Sequence, residues 1–91
     1  MKLIKKLKIK NDLGLHIRPA TAVVKLLQPF KSTVSFIHKK TPANARSIMS
    51  LLMLTAKKNA CITVEVEGPD AKKVMELLEQ AFERRFGEYY E

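Results

Sequence analysis

The stretch 61–82 constrains the fold more than any other part of this 91-residue chain. Its first seven residues alternate, with apolar side chains at 62, 64 and 66, which is typical of a strand with one buried face. A Gly-Pro-Asp turn follows, and apolar residues then recur at 74, 77, 78, 81 and 82, on one face of a helix. We expect Asp70 to cap this helix and Cys61 to lie in the core. A strand of this kind must bury its apolar face against another layer, and we expect that layer to be helical.

The rest of the chain contains elements of the same two kinds. Alternation and β-branched content predict three more strands, at 2–10, 33–38 and 41–44. Pro42 restricts the last of these to a sheet edge. Apolar periodicity predicts a helix at 17–28, and Ser47 is expected to cap a short helix beginning at Ile48. The order β-α-β-β-α-β-α predicts an α+β fold, a mostly antiparallel sheet with helices on one face.

Length and composition indicate one small globular domain. Ninety-one residues allow one modest core, and a hydrophobic fraction of 46% argues against disorder. We expect a single domain over 1–91, with 87–91 as a frayed tail. No apolar run approaches the ~20 residues of a membrane span, and we expect no signal sequence before the first strand. A single cysteine and the lack of metal-ligand spacing predict no metal, no cofactor and a reducing, cytoplasmic location.

Positive charge is concentrated in the first half of the chain. Residues 1–46 carry eleven Lys and Arg against one acid, whereas the remainder carries six against eight. A basic half of this kind is typical of chains that bind nucleic acid, a membrane surface or an acidic protein. Alternate lysines of the first strand would be neutralised if they faced the glutamates of the strand 61–67. These predicted partners are Lys6, Lys8 and Lys10 on one strand and Glu65 and Glu67 on the other. Without an aromatic RNA-binding motif, we expect no nucleic-acid and no membrane partner.

The first candidate site is the segment 14–21, where a turn leads into the first helix. Ser, Thr, Asp or Asn normally caps a helix and binds its first backbone N–H groups, but His16 holds that place here. Those groups are then open to an outside anion, which the helix dipole favours. A neutral histidine is a nucleophile, and Arg18 offers a planar fork for phosphoryl oxygens. Together they indicate phosphohistidine chemistry; the alternative is a plain surface histidine.

Ser47 is the second candidate. A capping role alone accounts for it. Yet Arg46 precedes it, and the apolar Ile48 and Met49 follow. A phosphate at Ser47 would meet the helix dipole favourably, so it would place charge in an apolar patch without unfolding the helix.

Three segments of the chain resemble the HPr-type phosphocarriers. They are GLHIRPAT at 14–21, NARSIMSLLML at 44–54 and ITVEVEGPDAKKVMELLE at 62–79. The separation of His16 from Ser47, 31 positions, also matches the family pattern. The resemblance extends from the first strand to the last helix. It implies an open-faced β-sandwich, with four antiparallel strands and three helices on one face.

The same resemblance implies a role for each candidate residue. His16 would take a phosphoryl group from enzyme I, charged by phosphoenolpyruvate, and pass it to an A-type transport or regulatory component. Arg18 matches the phosphate-stabilising arginine, and Ser47 matches the serine that HPr kinase modifies in some bacteria. The apolar docking positions of the family match Ile17, Ile48, Met49 and Leu52. The family phosphorylates the δ nitrogen, whereas nothing in this sequence selects between the two ring nitrogens.

Four positions depart from the family pattern. Ile17 replaces a small or hydroxyl residue, and Ser50 stands where many relatives have Gly. Lys40 and Asn59 replace turn glycines, although Asn tolerates the left-handed conformation. These changes affect docking and hairpin shape more than the phosphohistidine chemistry.

Three functions follow from these observations. The first is a monomeric phosphocarrier, which is no enzyme because it is itself the phosphorylated intermediate. The second is a regulatory module recognised through phosphorylated Ser47. The third is a small basic nucleic-acid binder, which predicts tight and strongly salt-dependent binding. The sequence leaves open the sugar, the acceptor and the choice between a carbohydrate and a nitrogen-linked branch.

Overall fold

The computed structural model describes residues 1–88, which form a four-stranded antiparallel sheet and three α-helices. The strands are β1 (Lys2–Lys8), β2 (Thr33–His38), β3 (Thr41–Asn44) and β4 (Cys61–Glu67). The helices are α1 (Ile17–Leu27), α2 (Ile48–Met53) and α3 (Ala71–Glu83), and a 3-10 turn (Arg85–Gly87) follows. The predicted fold class and element order are confirmed. Among the described residues, no helix is long and apolar enough to cross a membrane.

The first strand ends earlier than predicted, at Lys8 rather than at residue 10. Ile9 leaves the β1–β4 pairing because its N–H donates to Ala60 O at 2.9 Å and its carbonyl accepts from Asn59 N at 2.7 Å. Asn59 has φ 73°, so the loop before β4 turns towards Ile9 at this point. Ile9 is fully buried, and the chain beyond it turns into the loop that carries His16.

The sheet has the strand order β1-β4-β2-β3, and every neighbouring pair is antiparallel. β3 therefore lies at an edge, as Pro42 predicts. The predicted inward residues of β4, Ile62, Val64 and Val66, are all fully buried. Helix α3 packs on this face, where the rings of Phe36 and Phe82 lie 5.5 Å apart. The opposite face of the sheet carries Thr63 and Glu65 of β4 and also the apolar Ile4 of β1, which is 56% exposed.

Cys61 lies on the solvent side of the sheet rather than in the core, so the prediction for it was wrong. Side chains alternate along a strand, and Cys61 shares the parity of Thr63 and Glu65, which point away from the helices. The alternation that predicts Thr63 and Glu65 to point outward predicts the same for Cys61, the first residue of the strand.

The predicted pairing of strand charges was also wrong in its register. Lys6 faces Thr63 across β1 and β4, and Glu65 pairs instead with Lys2 at 3.6 Å. An antiparallel register is set by the whole hydrophobic pattern, so charge parity alone does not choose the partners. The other two lysines have different partners as well: Lys8 faces Cys61, and Lys10 binds Glu83 of α3 at 2.6 Å.

Asp70 precedes α3 but its side chain does not cap it. The carboxylate instead accepts hydrogen bonds from the backbone N–H groups of Lys31 and Ser32, at 2.8 and 2.9 Å, and from the Ser32 hydroxyl. The Ser32 hydroxyl, followed by the Lys31 N–H, lowers the pKa of Asp70 below its ordinary 3.8. Asp70 thus ties the start of α3 to the segment before β2.

Candidate functional site

A tight turn places His16 at the start of α1. Gly14 N donates to Asn11 O at 3.2 Å, and Leu15 N donates to Ala56 O at 2.9 Å. Gly14 has φ +69°, and a Cβ added there would lie 2.4 Å from Ala56 O. Only glycine suits both the conformation and this close approach. The turn therefore holds the histidine loop against the segment that follows α2.

The N-terminus of α1 lacks a side-chain cap, as the sequence predicts. His16 is in the cap position with an extended backbone, and its side chain makes no capping hydrogen bond. The first amide that bonds within the helix is Ala20 N, which donates to His16 O at 3.1 Å. Pro19 has no N–H, and Ile17 N has no acceptor among residues 1–88. The helix start thus has a positive dipole end and at least one available donor next to the imidazole.

The His16 ring contacts a carboxylate that sequence reasoning missed. His16 Nε2 lies 2.8 Å from Glu88 Oε1, and the same oxygen accepts from Asn11 Nδ2 at 3.0 Å. His16 is 27% exposed in its side chain, whereas Glu88 is 5% exposed. The two residues are 72 positions apart, so no local pattern links them.

The predicted frayed tail, 87–91, includes this glutamate. Gly87 ends the 3-10 turn, and Glu88 is buried rather than free, which differs from the expectation. The reason is a reversal of the chain after α3 that returns it towards the His16 loop. The remaining tail residues, 89–91, lie outside the described residues.

Arg18 and Ile17 lie together on the exposed side of the first turn of α1. Ile17 is 60% exposed, an unusual exposure for a large apolar side chain. A shallow depression of about 360 Å³ runs along this side of the helix. It is lined by Ile17, Arg18, Thr21, Ala22 and Lys25. The surface next to His16 is therefore both apolar and basic.

Ser47 caps α2, as predicted, since its hydroxyl accepts from Ser50 N at 3.2 Å. Met49 is 69% exposed, whereas Ile48 and Leu52 are half-buried against the core. Of the predicted docking residues on α2, Met49 alone presents most of its side chain to solvent. Helix α1 packs against α2, so both candidate segments belong to the helical layer.

The Arg46 guanidinium is hydrogen-bonded to backbone carbonyls and is therefore not directed at the Ser47 hydroxyl. Its guanidinium donates to Leu27 O, Phe30 O and Ser32 O, each at 2.8 Å. Arg46 therefore binds the carbonyls at the end of α1. Of the residues that the structure describes, none form a group of three metal-ligating side chains.

Comparison with known proteins identifies the family. The family model for the PTS HPr component phosphorylation site matches residues 3–84. The chain is 44% identical over 80 residues to the phosphocarrier protein HPr of Chlamydia muridarum, covering 88% of this chain and 77% of the relative. It is 37% identical over 81 residues to the phosphocarrier protein NPr of Proteus mirabilis, covering 88% of this chain and 90% of that protein.

Solved structures agree with this assignment. A crystal structure of HPr-C-His from Thermoanaerobacter tengcongensis superposes with a TM-score of 0.91 at 30% identity, covering 97% of this chain and 99% of the other. A phosphocarrier protein HPr from Bacillus anthracis superposes with a TM-score of 0.84 at 27% identity, covering 89% and 96%. The resemblance inferred from the three segments is confirmed, and the chain belongs to the HPr family of phosphocarriers of the phosphotransferase system.

Proposed function

We propose that this protein carries a phosphoryl group on His16, which it accepts from enzyme I and passes to an A-type component. The observation that carries the proposal is the position of the His16 ring at an uncapped helix N-terminus beside Arg18. A phosphate at such a terminus is stabilised by the helix dipole and by free backbone donors. A buried histidine could not exchange the group with other proteins, and the ring is a quarter exposed, at 27%.

Transfer to His16 is a displacement at phosphorus. A lone pair of the neutral imidazole attacks the phosphorus, and the N–P bond of the phosphorylated donor breaks as the new N–P bond forms. The bonding pair stays with the donor nitrogen. Transfer to the acceptor is the same displacement with His16 as the leaving group. The protein is restored at the end of each cycle, so it acts as an intermediate and not as an enzyme.

Arg18 stabilises the phosphoryl oxygens in this proposal. Guanidinium groups bind phosphoryl oxygens through two parallel N–H donors, which a lysine cannot reproduce. The start of α1 holds Arg18 within one helical turn of His16. The Ile17 amide is available to a third oxygen, because it has no acceptor among residues 1–88.

Docking involves the apolar residues next to these groups. Ile17 and Met49 are exposed, whereas Ile48 and Leu52 of the same helical layer are half-buried. The net charge of +8 favours acidic partners, and electrostatic attraction mainly raises the rate of association. We infer that enzyme I and the A-type component bind this surface in turn and that the protein acts as a monomer.

We also propose that phosphorylation of Ser47 by an HPr kinase regulates docking. A phosphate on the cap residue of α2 meets the positive end of the helix, so the helix persists. The new charge would lie beside Met49, which is 69% exposed. This location supports a second role as a regulatory module recognised through phosphorylated Ser47, and the two roles can coexist in one chain.

A stoichiometric assay tests the relay. Enzyme I and phosphoenolpyruvate are mixed with a known amount of the protein, and the pyruvate released is followed. We expect a burst of one pyruvate per chain, then a further release that matches the amount of A-type component added. The His16→Ala variant should give no burst. A wild-type burst equal to that of His16→Ala would overturn the proposal.

A further inference from the structure

We propose that Glu88 is a positioning residue for His16: its carboxylate holds the proton on Nε2 and presents Nδ1 as the atom that takes the phosphoryl group. This inference rests on the proposed phosphocarrier function and adds a residue to its machinery. Its basis is the contact between Glu88 Oε1 and His16 Nε2, at 2.8 Å.

The position of Glu88 depends on a reversal of the chain after α3. Arg85 and Phe86 both adopt left-handed backbone conformations, with φ 55° and 53°. Residues other than glycine are disfavoured in this conformation, so other contacts must offset the strain. The Phe86 ring packs 4.9 Å from that of Phe82, and Glu88 N donates to Arg85 O at 2.8 Å. The strained turn thus directs the Glu88 side chain inward, towards the loop of His16.

Glu88 and Asn11 form a buried polar pair behind the imidazole. Asn11 is fully buried, and its Nδ2 donates both to Gly14 O at 2.6 Å and to Glu88 Oε1 at 3.0 Å. The bond to Gly14 O orients the amide, because an amide oxygen there would face a carbonyl oxygen. Asn11 therefore presents N–H groups to Glu88, and the carboxylate is held by the same turn that precedes His16.

This arrangement determines where the imidazole proton lies. An ionised carboxylate only accepts hydrogen bonds, so the ring nitrogen that faces Glu88 must be the donor. In a neutral ring the other nitrogen, Nδ1, then keeps its lone pair. Glu88 thus sets which nitrogen of the neutral ring is the nucleophile.

The same contact assists the transfer itself. When Nδ1 bonds to phosphorus, the donor N–P bond breaks, and the ring keeps its Nε2 proton and becomes positive. The negative carboxylate 2.8 Å from Nε2 stabilises that charge. In the onward transfer the Nδ1–P electron pair returns to the ring, which is neutral again with the proton still on Nε2. No proton leaves or enters His16 in either step.

Nitrogen-15 NMR of the imidazole rings tests the proposal on the full-length protein at a pH where the ring is neutral. The wild type should show Nε2 as the protonated nitrogen and Nδ1 as the unprotonated one. In Glu88→Ala both His16 signals should move towards the average of exchanging tautomers, while those of His38 stay in place. Glu88→Gln should keep the wild-type tautomer, because its amide oxygen also accepts from Nε2.

The rate of phosphorylation by enzyme I is measured on the same samples. Glu88→Ala should be about tenfold slower, the effect of losing a hydrogen bond to a charged group, and Glu88→Gln should fall between it and the wild type. The matched control is Glu83→Gln, which removes an exposed carboxylate bound to Lys10 and should leave both measurements unchanged.

The two proposals fail in different ways. Identical His16 signals in Glu88→Ala and wild type, or a tautomer change without a slower transfer, would overturn the role of Glu88. A wild-type protein that takes no phosphate would overturn the phosphocarrier role of His16, and the NMR comparison would still decide whether Glu88 orients the ring.

Discussion

Arg46 holds the end of the first helix, since its Nη1 donates to Leu27 O at 2.8 Å. Its Nη2 donates to Phe30 O and Ser32 O, both also at 2.8 Å. One guanidinium thereby satisfies three carbonyls at the helix end and in the following segment. The residue before Ser47 thus has a structural role that its charge alone does not reveal.

Replacing Arg46 with Ala should lower the free energy of unfolding by about 2–3 kcal/mol, because hydrogen bonds from a charged donor are lost and carbonyls are left unpaired. Arg46→Lys should lower the free energy of unfolding by a smaller amount, since one ammonium group reproduces only part of the planar guanidinium's hydrogen bonding. Urea denaturation measures both variants. The exposed Lys73→Ala serves as control, and an Arg46→Ala variant as stable as that control would contradict the assignment.

The lowered pKa of Asp70 predicts a loss of stability in acid. The hydrogen bonds from Ser32 and Lys31 hold the folded-state pKa below the ordinary 3.8. The unfolded state therefore binds more protons in this range, and stability rises with pH. The contribution is complete above about pH 4 and is lost as the pH falls through the folded-state pKa.

Thermal melts of Asp70→Asn at several pH values measure this contribution. At pH 7 the variant should melt below the wild type, because an amide N–H faces the backbone donors. The difference in Tm should shrink as the pH falls below about 4. The pKa of Asp12 is also lowered, chiefly by its hydrogen bond from Lys58. The melts of Asp12→Asn are therefore compared with those of Asp70→Asn over the same pH range. A difference that is constant with pH would contradict the role of the Asp70 carboxylate.

The β2–β3 hairpin contains a strained position that a single change should relieve. Lys40 has φ 68° and follows Lys39, with φ 48°. Side chains other than glycine are disfavoured there, so Lys40→Gly should raise the free energy of unfolding by roughly 0.5–1 kcal/mol. Lys57→Gly, in a loop residue without positive φ, should not stabilise the protein. Equal effects of the two changes, measured by urea denaturation, would contradict this account.

Two variants of Ser47 separate its capping role from the proposed regulation. Ser47→Ala removes the acceptor of Ser50 N and should cost about 1 kcal/mol of stability. Ser47→Asp keeps a good capping residue and adds a favourable charge, so its stability should match the wild type. Its rate of phosphorylation by enzyme I should nevertheless fall, because charge is added beside Met49. A Ser47→Asp variant that accepts phosphate at the wild-type rate would argue against regulation through docking.

Periodicity predicted the elements well because each has a regular pattern of buried residues. The strand β4, with alternating residues from Cys61 to Glu67, has the predicted bounds. The partners of polar side chains were harder to predict. Asp70 accepts a hydrogen bond from Ser32 and does not cap the helix that follows it. Its backbone is not extended, so its short carboxylate lies against another segment. Such contacts depend on the packed fold and not on local sequence.

The same distinction holds for the site. His16 and Ser47 were predicted as site residues because they break or fulfil capping preferences, which the sequence itself displays, and Arg18 was predicted because its planar guanidinium lies two positions from His16. Glu88 was missed because it reaches His16 from 72 positions away through a left-handed turn. Gly87, with φ 84°, is a turn-forming residue, but Arg85 and Phe86, which precede it and also have positive φ, are not residues that favour that conformation.

The central claim is that His16 carries the phosphoryl group, and the intact mass of the protein after incubation with enzyme I and phosphoenolpyruvate tests it most directly. His16→Ala is measured beside His38→Ala, which replaces the other histidine of the chain. We predict one acid-labile phosphate on the wild type and on His38→Ala, and none on His16→Ala. A phosphate that persists on His16→Ala, or is lost with His38→Ala, would contradict the claim.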